Sequence, residues 1–234
     1  MTRTNDFGQP VGAELVDWSA PDWPSAEGLT GDRVSLVPLD AEFHGPPLFE
    51  AFAAAPDSIW TYMSFGPFSE VGDLVVSLDG LNRIDGWLPY VVTVSEIPLG
   101  IASYLRIDPA NGVLEIGSLV FSPELQRTAA ATETLFLMID HCFAIGYRRC
   151  EWKCDNLNAP SHAAALRLGF QHEGVFRQAT HYKGRNRDTA WYAIVDQDWP
   201  MLRAAFQAWL NSDNFDEHGR QIRSLQSLRP AAIS

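Results

Sequence analysis

Seven small or polar residues, Gln126-Arg127-Thr128-Ala129-Ala130-Ala131-Thr132, stand between a strand-like run (residues 113–121) and a long helical pattern. The first amides of a helix have no partner inside it. A helix start with small side chains and no carboxylate can therefore receive a phosphate or pyrophosphate on its backbone N–H groups. The same residues also read as an ordinary strand–turn–helix crossover with an alanine-rich first turn, and both readings stay open at this point. Glu115 is the one carboxylate inside residues 113–121. A charge on a largely apolar strand needs a partner or a purpose, so Glu115 is either a general base or a solvent-facing side chain. Trp60, Tyr62, Phe65 and Phe68 crowd one short stretch, and Arg177, Lys183, Arg185 and Arg187 form a local basic cluster on an acidic chain. The cluster could contact an acidic or phosphate-bearing acceptor, or be a solvated turn with surface ion pairs.

The elements that must position these residues follow from periodicity. Val113, Leu114, Ile116, Leu119, Val120 and Phe121 suit a mostly buried strand, which Pro123 stops. Ala131, Leu135, Met138, Ile139, Cys142 and Phe143 fall on one face of a helix that begins near Thr128 and ends at Gly146. Upstream, residues 33–39, 90–95 and 99–107 read as strands, the last two joining 113–121 in an antiparallel meander through short links. Helical patterns occupy 48–55 and 70–84. Downstream come a strand over 149–154 and a short helix over 160–168. A hairpin of 170–181 with 189–196 follows, and a last amphipathic helix covers 199–210. Residues 1–30 have no period and carry Trp18 and Trp23, which suggests an extended arm pinned to the domain; residues 213–234 read as a polar tail. The pattern is an α+β domain: a mixed sheet in which one long helix crosses between two strands.

Composition narrows the function. The 234 residues can bury a full core, and 46% apolar residues with mixed charge describe a globular chain. A net charge of −12 argues against nucleic acid or an acidic membrane as a partner. No apolar run reaches membrane-spanning length, and the first thirty residues lack the order of a signal peptide. Cys142, Cys150 and Cys154 are an odd number without His or Cys at metal-site spacing, so the expectation is reduced thiols, no metal and a cytoplasmic location.

Three stretches together resemble the GNAT superfamily of acyl-CoA-dependent N-acetyltransferases, in particular its RimJ/RimL-like branch. QRTAAA (126–131) occupies the slot of that family's [QR]-x-x-G-x-[GA] pyrophosphate loop, with Ala129 and Ala131 in place of the glycines. DNLNAPSHAAALRLGF (155–170) matches its D-x-x-N-x-x-S…LGF stretch, and GVFRQATHYKGRNRDTAWYAI (174–194) is similar to its closing hairpin. The resemblance implies a mixed, mostly antiparallel sheet of six to seven strands, helices on both faces and a splayed central strand pair, over a domain of residues 31–212. Alanine is unstrained at the φ of a helix's first turn, so coenzyme binding is expected to survive the two replacements.

The resemblance also implies roles. Acetyl-CoA would serve as co-substrate, its thioester carbonyl near the backbone of Leu119, Val120 and Phe121. Its pyrophosphate would lie on Gln126, Arg127, Thr128, Ala129, Ala130, Ala131 and Thr132. Ser161 would face the sulfur, or cap its helix; Asn158 would hold the pantetheine, or cap the turn. Glu115 is the first candidate for the base and Asp155 the second. Trp60, Tyr62, Trp87, Tyr182 and Trp191 would lie near the acceptor, with Trp60 favoured because its loop has no regular pattern. The implied reaction is direct attack of a primary amine within a ternary complex. The acceptor would be a small molecule or an aminoacyl-type compound. Alternatives are a protein N-terminus, as for ribosomal proteins, or a CoA-binding module without catalysis. Either a monomer or a homodimer fits.

Overall fold

The computed structural model describes residues 3–24 and 26–229. Strands β1 (Arg3–Thr4) and β2 (Pro10–Val11) form a small antiparallel ribbon in the N-terminal arm. Trp18 fastens the arm, its indole donating to the Gly146 carbonyl (3.3 Å) beneath the Arg148 guanidinium, whereas Trp23 is half exposed. The arm ends by joining the main sheet through β3 (Leu29–Thr30), an eighth strand beyond the seven expected. The others are β4 (Ser35–Pro38), β5 (Leu88–Val94), β6 (Ile97–Asp108), β7 (Val113–Phe121), β8 (Arg149–Asp155), β9 (Gln171–Tyr182) and β10 (Arg185–Val195). Their order in the sheet is β3-β4-β5-β6-β7-β8-β10-β9, and every pair is antiparallel except β7 with β8. A parallel pair needs a crossover, which α3 (Ala129–Ala144) supplies.

Helices cover both faces. α1 (Ala41–Ala53) and α2 (Val71–Asn82) pack Leu48, Phe52, Leu74 and Leu78 against Val91, Ile101 and Val120. On the other face α3, α4 (Ala159–Leu168) and α5 (Trp199–Leu210) enclose the larger core, built around Tyr104, Ile116, Met138, Trp152 and Phe206. Residues 213–229 fold back onto α5: Leu225 is fully buried, and the Phe215 ring packs edge-on to Trp209.

Two elements differ from the sequence reading. α1 begins seven residues before Leu48, although Pro46 and Pro47 remove two helix donors. Asp40 caps its start by accepting from the Phe43 amide, the Asp40 amide donates to His44 Nδ1, and burial of His44, Leu48 and Phe52 holds the rest. The closing hairpin turns at Lys183-Gly184, with Gly184 at φ 70°, so most of KGRNRD is strand rather than loop.

Candidate active site

The site begins where β7 and β8 part. Their ladder holds only Val113↔Arg149, Leu114↔Cys150 and Glu115↔Glu151, although β7 continues to Phe121 and β8 to Asp155. A bulge in β7 accounts for the divergence. Ser118 and Leu119 together face the single residue Ala102 of β6, and Ser118 takes a left-handed φ of 51°. An extra residue on one strand bends it, here along β6 and away from β8. Leu119, Val120 and Phe121 therefore lie on the diverging limb, and Ile101↔Val120 and Gly100↔Phe121 keep their ladder on the β6 side.

The limb leads into the anion-binding junction. Gln126 donates to the Phe121 carbonyl (2.7 Å), and Arg127 turns the chain through φ 62°. Thr128 is the N-cap of α3, accepting from the Ala131 amide (3.1 Å) and donating to the Leu125 carbonyl (2.7 Å). Among the described residues, the amides of Arg127, Ala129 and Ala130 have no acceptor within the protein. Thr132 is already engaged, its amide reaching the Thr128 carbonyl and its hydroxyl taking a bond from Arg167. The first turn carries no acidic side chain, and Gln126 and Arg127 are exposed with Thr128 to Ala130 half exposed. Free amides, dipole and access fit a pyrophosphate.

Across the fork, α4 offers a hydroxyl. Asn158 is the N-cap, accepting from the Ser161 amide (3.2 Å), so Ser161 is not the capping residue. The Ser161 Oγ accepts from the indole N–H of Trp152 (3.0 Å), a buried β8 side chain. The indole engages one lone pair of this oxygen and leaves the hydroxyl proton to donate. Cys154 lies beside it; burial pushes that thiol up, and the Ser161 bond opposes the shift. His162 Nδ1 pairs with the Tyr192 hydroxyl and Nε2 with the Asn156 carbonyl.

Glu115 is buried, not solvent-facing. Its Oε2 lies 2.9 Å from Lys153 Nζ and 3.9 Å from Arg106 Nε, while Lys153 also reaches Glu151 (2.7 Å). Burial raises the Glu115 carboxyl above the ordinary range, against the pull of Lys153. Burial also pushes Glu151 up, but hydrogen bonds from Lys153 and Arg149 outweigh it and hold that carboxyl low. Lys153 was not singled out in the sequence. Its signal was alternation: Arg149, Glu151, Lys153 and Asp155 share one face of β8, and Cys150, Trp152 and Cys154 the other.

The aromatic candidates divide. Tyr62 and Tyr182 both bond the far end of β8 and the turn after it, the first donating to the Leu157 carbonyl (2.9 Å) and the second to Asp155 Oδ2 (2.7 Å). Burial and the Asp155 bond push Tyr182 up to about 12. Asp155 is thus committed to Tyr182 and to the Leu157 amide. Trp191 stacks over Lys153 Nζ (3.8 Å) and on Phe176. Trp60 lies in a short 3-10 turn (Asp57–Trp60), 5% exposed, its ring packed edge-on to Phe52 and Phe68 with Gly66 against it. The stretch that looked irregular is closed by aromatic packing. Trp87 packs against the same cluster. The Trp60 and Thr61 carbonyls instead face the hairpin tip, accepting from Lys183 (2.8 Å) and Arg185 (2.7 Å).

Among the described residues no group of three or more His, Cys, Asp or Glu is placed to hold a metal, and no helix is long and apolar enough to cross a membrane. All three cysteines are free and buried.

Known proteins resemble this chain in sequence and fold. Residues 33–171 match the acetyltransferase (GNAT) domain. A GCN5-related N-acetyltransferase from Brucella melitensis is 41% identical, with a TM-score of 0.88 over 92% of this chain and 99% of that one. A probable GNAT-family acetyltransferase from Chromobacterium violaceum is also 41% identical, at TM-score 0.78 over 82% and 98%. An uncharacterized N-acetyltransferase p20 of Bacillus licheniformis is 27% identical over 59% of this chain and 80% of its own. RimL and RimJ acetyltransferases share the fold at 22% and 21% identity, with TM-scores of 0.62 and 0.67.

Proposed function

We propose, from the premise that this chain belongs to the GNAT acetyltransferase family and is an acetyl-CoA-dependent acyltransferase, that it acetylates a primary amine of a small or aminoacyl-type molecule by direct attack. The observation that carries this reading is the fork itself: two parallel strands that separate after Glu115↔Glu151, with free amides beyond one limb and the Ser161 hydroxyl beside the other. When bound, acetyl-CoA supplies an activated acyl carbon and a thiolate leaving group.

The chain's own residues have the following work. Arg127, Ala129 and Ala130 hold the diphosphate through backbone N–H groups. Leu119 to Phe121 offer the backbone donor for a developing oxyanion. Ser161 donates toward the departing sulfur, kept in that sense by Trp152. Glu115 accepts the amine's proton, its buried carboxyl being nearer neutral pH than an exposed one. An α-amine, with a pKa of about 8, needs less help from such a base than a lysine at about 10.4.

A mouth tied across its outer end favours a small acceptor over a protein terminus. Lys183 and Arg185 tie the hairpin tip to residues 60–61, and Tyr62 ties that segment to Leu157. Trp60 and Trp87 act from the core behind this mouth rather than as ring contacts to the acceptor. Free-thiol release across a panel of amines, amino acid derivatives and peptides tests the reading. Turnover with small amines and none with peptides is the expected result. Turnover with peptides alone would assign the protein N-terminal reaction, and acetyl-CoA binding without thiol release would assign a non-catalytic module.

A further inference from the structure

We propose that Lys153 is a positioning residue for Glu115: it holds that carboxylate ionised at the fork and passes wholly to Glu151 once Glu115 has taken the amine's proton. The inference rests on the acetyl-transfer reading above. Lys153 Nζ lies 2.9 Å from Glu115 and 2.7 Å from Glu151, and its side chain is only 6% exposed, against 8% and 10% for its partners. One ammonium shared by two buried carboxylates is an odd construction for stability alone, since neutral residues of the same size would avoid desolvating three charges. It is well suited to a proton transfer. A buried lysine with a single partner would be orphaned when that partner is neutralised; this one retains Glu151.

The asymmetry of the pair decides which carboxylate takes the proton. Glu151 is held from its far side by Arg149 (2.8 Å), which is tied in turn to Glu173 of β9. Among the described residues Glu115 has no second cation as close: Arg106 of β6 stands at 3.9 Å. The groups facing Glu115 are thus Lys153 and Glu151 from β8, and Arg106 and Leu105 from β6, with the Trp191 ring of β10 covering the lysine. In the step, the amine's lone pair would form the C–N bond, the thioester C–S bond would break with its electron pair leaving on the coenzyme A sulfur beside Ser161, and the amine's proton would move to the Glu115 carboxylate, directly or through a water. Glu115 ends as a neutral acid, and Lys153 with Glu151 remains a compensated pair.

The pH profile of kcat/KM for the amine, measured for wild type, Lys153→Met and Glu151→Gln, tests this. A 13C NMR titration of glutamate carboxyls in the same unliganded proteins runs in parallel, with Glu115 assigned by its loss in Glu115→Gln. Lys153→Met is expected to move the acid limb and the Glu115 resonance up by about one pH unit or more. Glu151→Gln is expected to move both down, because the lysine then belongs to Glu115 alone. A purely structural role would lower activity in both variants without opposed shifts. Shifts in the same direction, or none, overturn the proposal. If Lys153→Met does not fold, Glu151→Gln against wild type decides. A wild type that releases no thiol with any amine would sink the acetyl-transfer reading, while the NMR titration would still read the coupling.

Discussion

Replacing Ser161 by alanine removes one oxygen with two separable consequences. The Trp152 indole, in a side chain 5% exposed, loses the acceptor it reaches at 3.0 Å. An orphaned buried N–H costs about 1–3 kcal/mol. At about 2–4 °C per kcal/mol for a chain of this size, the melting temperature should fall by about 2–12 °C. Loss of a proton donor to the leaving thiolate should separately lower kcat by about 100-fold, or about 2.7 kcal/mol of barrier. Helix α4 itself should survive, since Asn158 provides its cap. The double variant Trp152→Phe, Ser161→Ala removes the orphan, so its melting temperature should lie above the sum of the single effects while kcat stays low. Calorimetry with acetyl-CoA should find affinity within about threefold of wild type, because no binding contact is assigned to this hydroxyl. A Ser161→Ala enzyme that melts lower yet turns over like wild type would refute the reasoning and leave Ser161 as the partner of an indole.

Ala129→Asp puts a carboxylate in the first turn of α3, which should stabilise the helix slightly, by about 0.3–1 kcal/mol, yet weaken acetyl-CoA binding at least about tenfold by calorimetry; unchanged affinity would move the diphosphate elsewhere. Asn158→Ala should lower stability by about 1 kcal/mol through the lost cap, read by thermal melting, with a smaller effect on kcat than Ser161→Ala. Hydrogen bonds from Arg149 hold the Glu173 carboxyl below its ordinary 4.5, so their stabilisation is present above that pH and lost as pH falls through the lower folded value. Melting temperatures followed from pH 6 to pH 3 should therefore fall less in Glu173→Gln than in wild type. The paired change Lys183→Ala, Arg185→Ala frees the hairpin tip from residues 60–61 and should admit longer acceptors in the thiol-release assay; an unaltered acceptor range would mean the tip does not limit entry.

Much of the architecture could be read from local pattern. Thr128 with an alanine-rich turn predicted a helix start and Gly146 a helix end, where it takes φ of 96°; Gly169 closes α4 in the same way at φ 106°. These are short-range effects of caps and backbone freedom, so a few neighbouring residues specify them. α1 was legible only from Leu48 because two prolines argue against a helix, and the forces that carry it through them come from partners across the core. The packing of Trp60 was hidden for the same reason: serines and a glycine flank it in sequence, but Phe52 and Phe68 surround it in space.

By itself, then, the chain determined most of the strands and helices and the ends that caps and turns mark, the exposed amides at the start of α3 and the order of three recognisable stretches. Those properties depend on period, caps and turns, which are local. Tertiary structure alone decided that β7 and β8 separate after three ladder pairs, that Trp152 occupies one side of the Ser161 hydroxyl, and that Glu115 shares Lys153 with Glu151. Each of these depends on which residue of one strand stands opposite which residue of another. That pairing is set by a bulge and by packing across the whole sheet, to which no single segment holds the key.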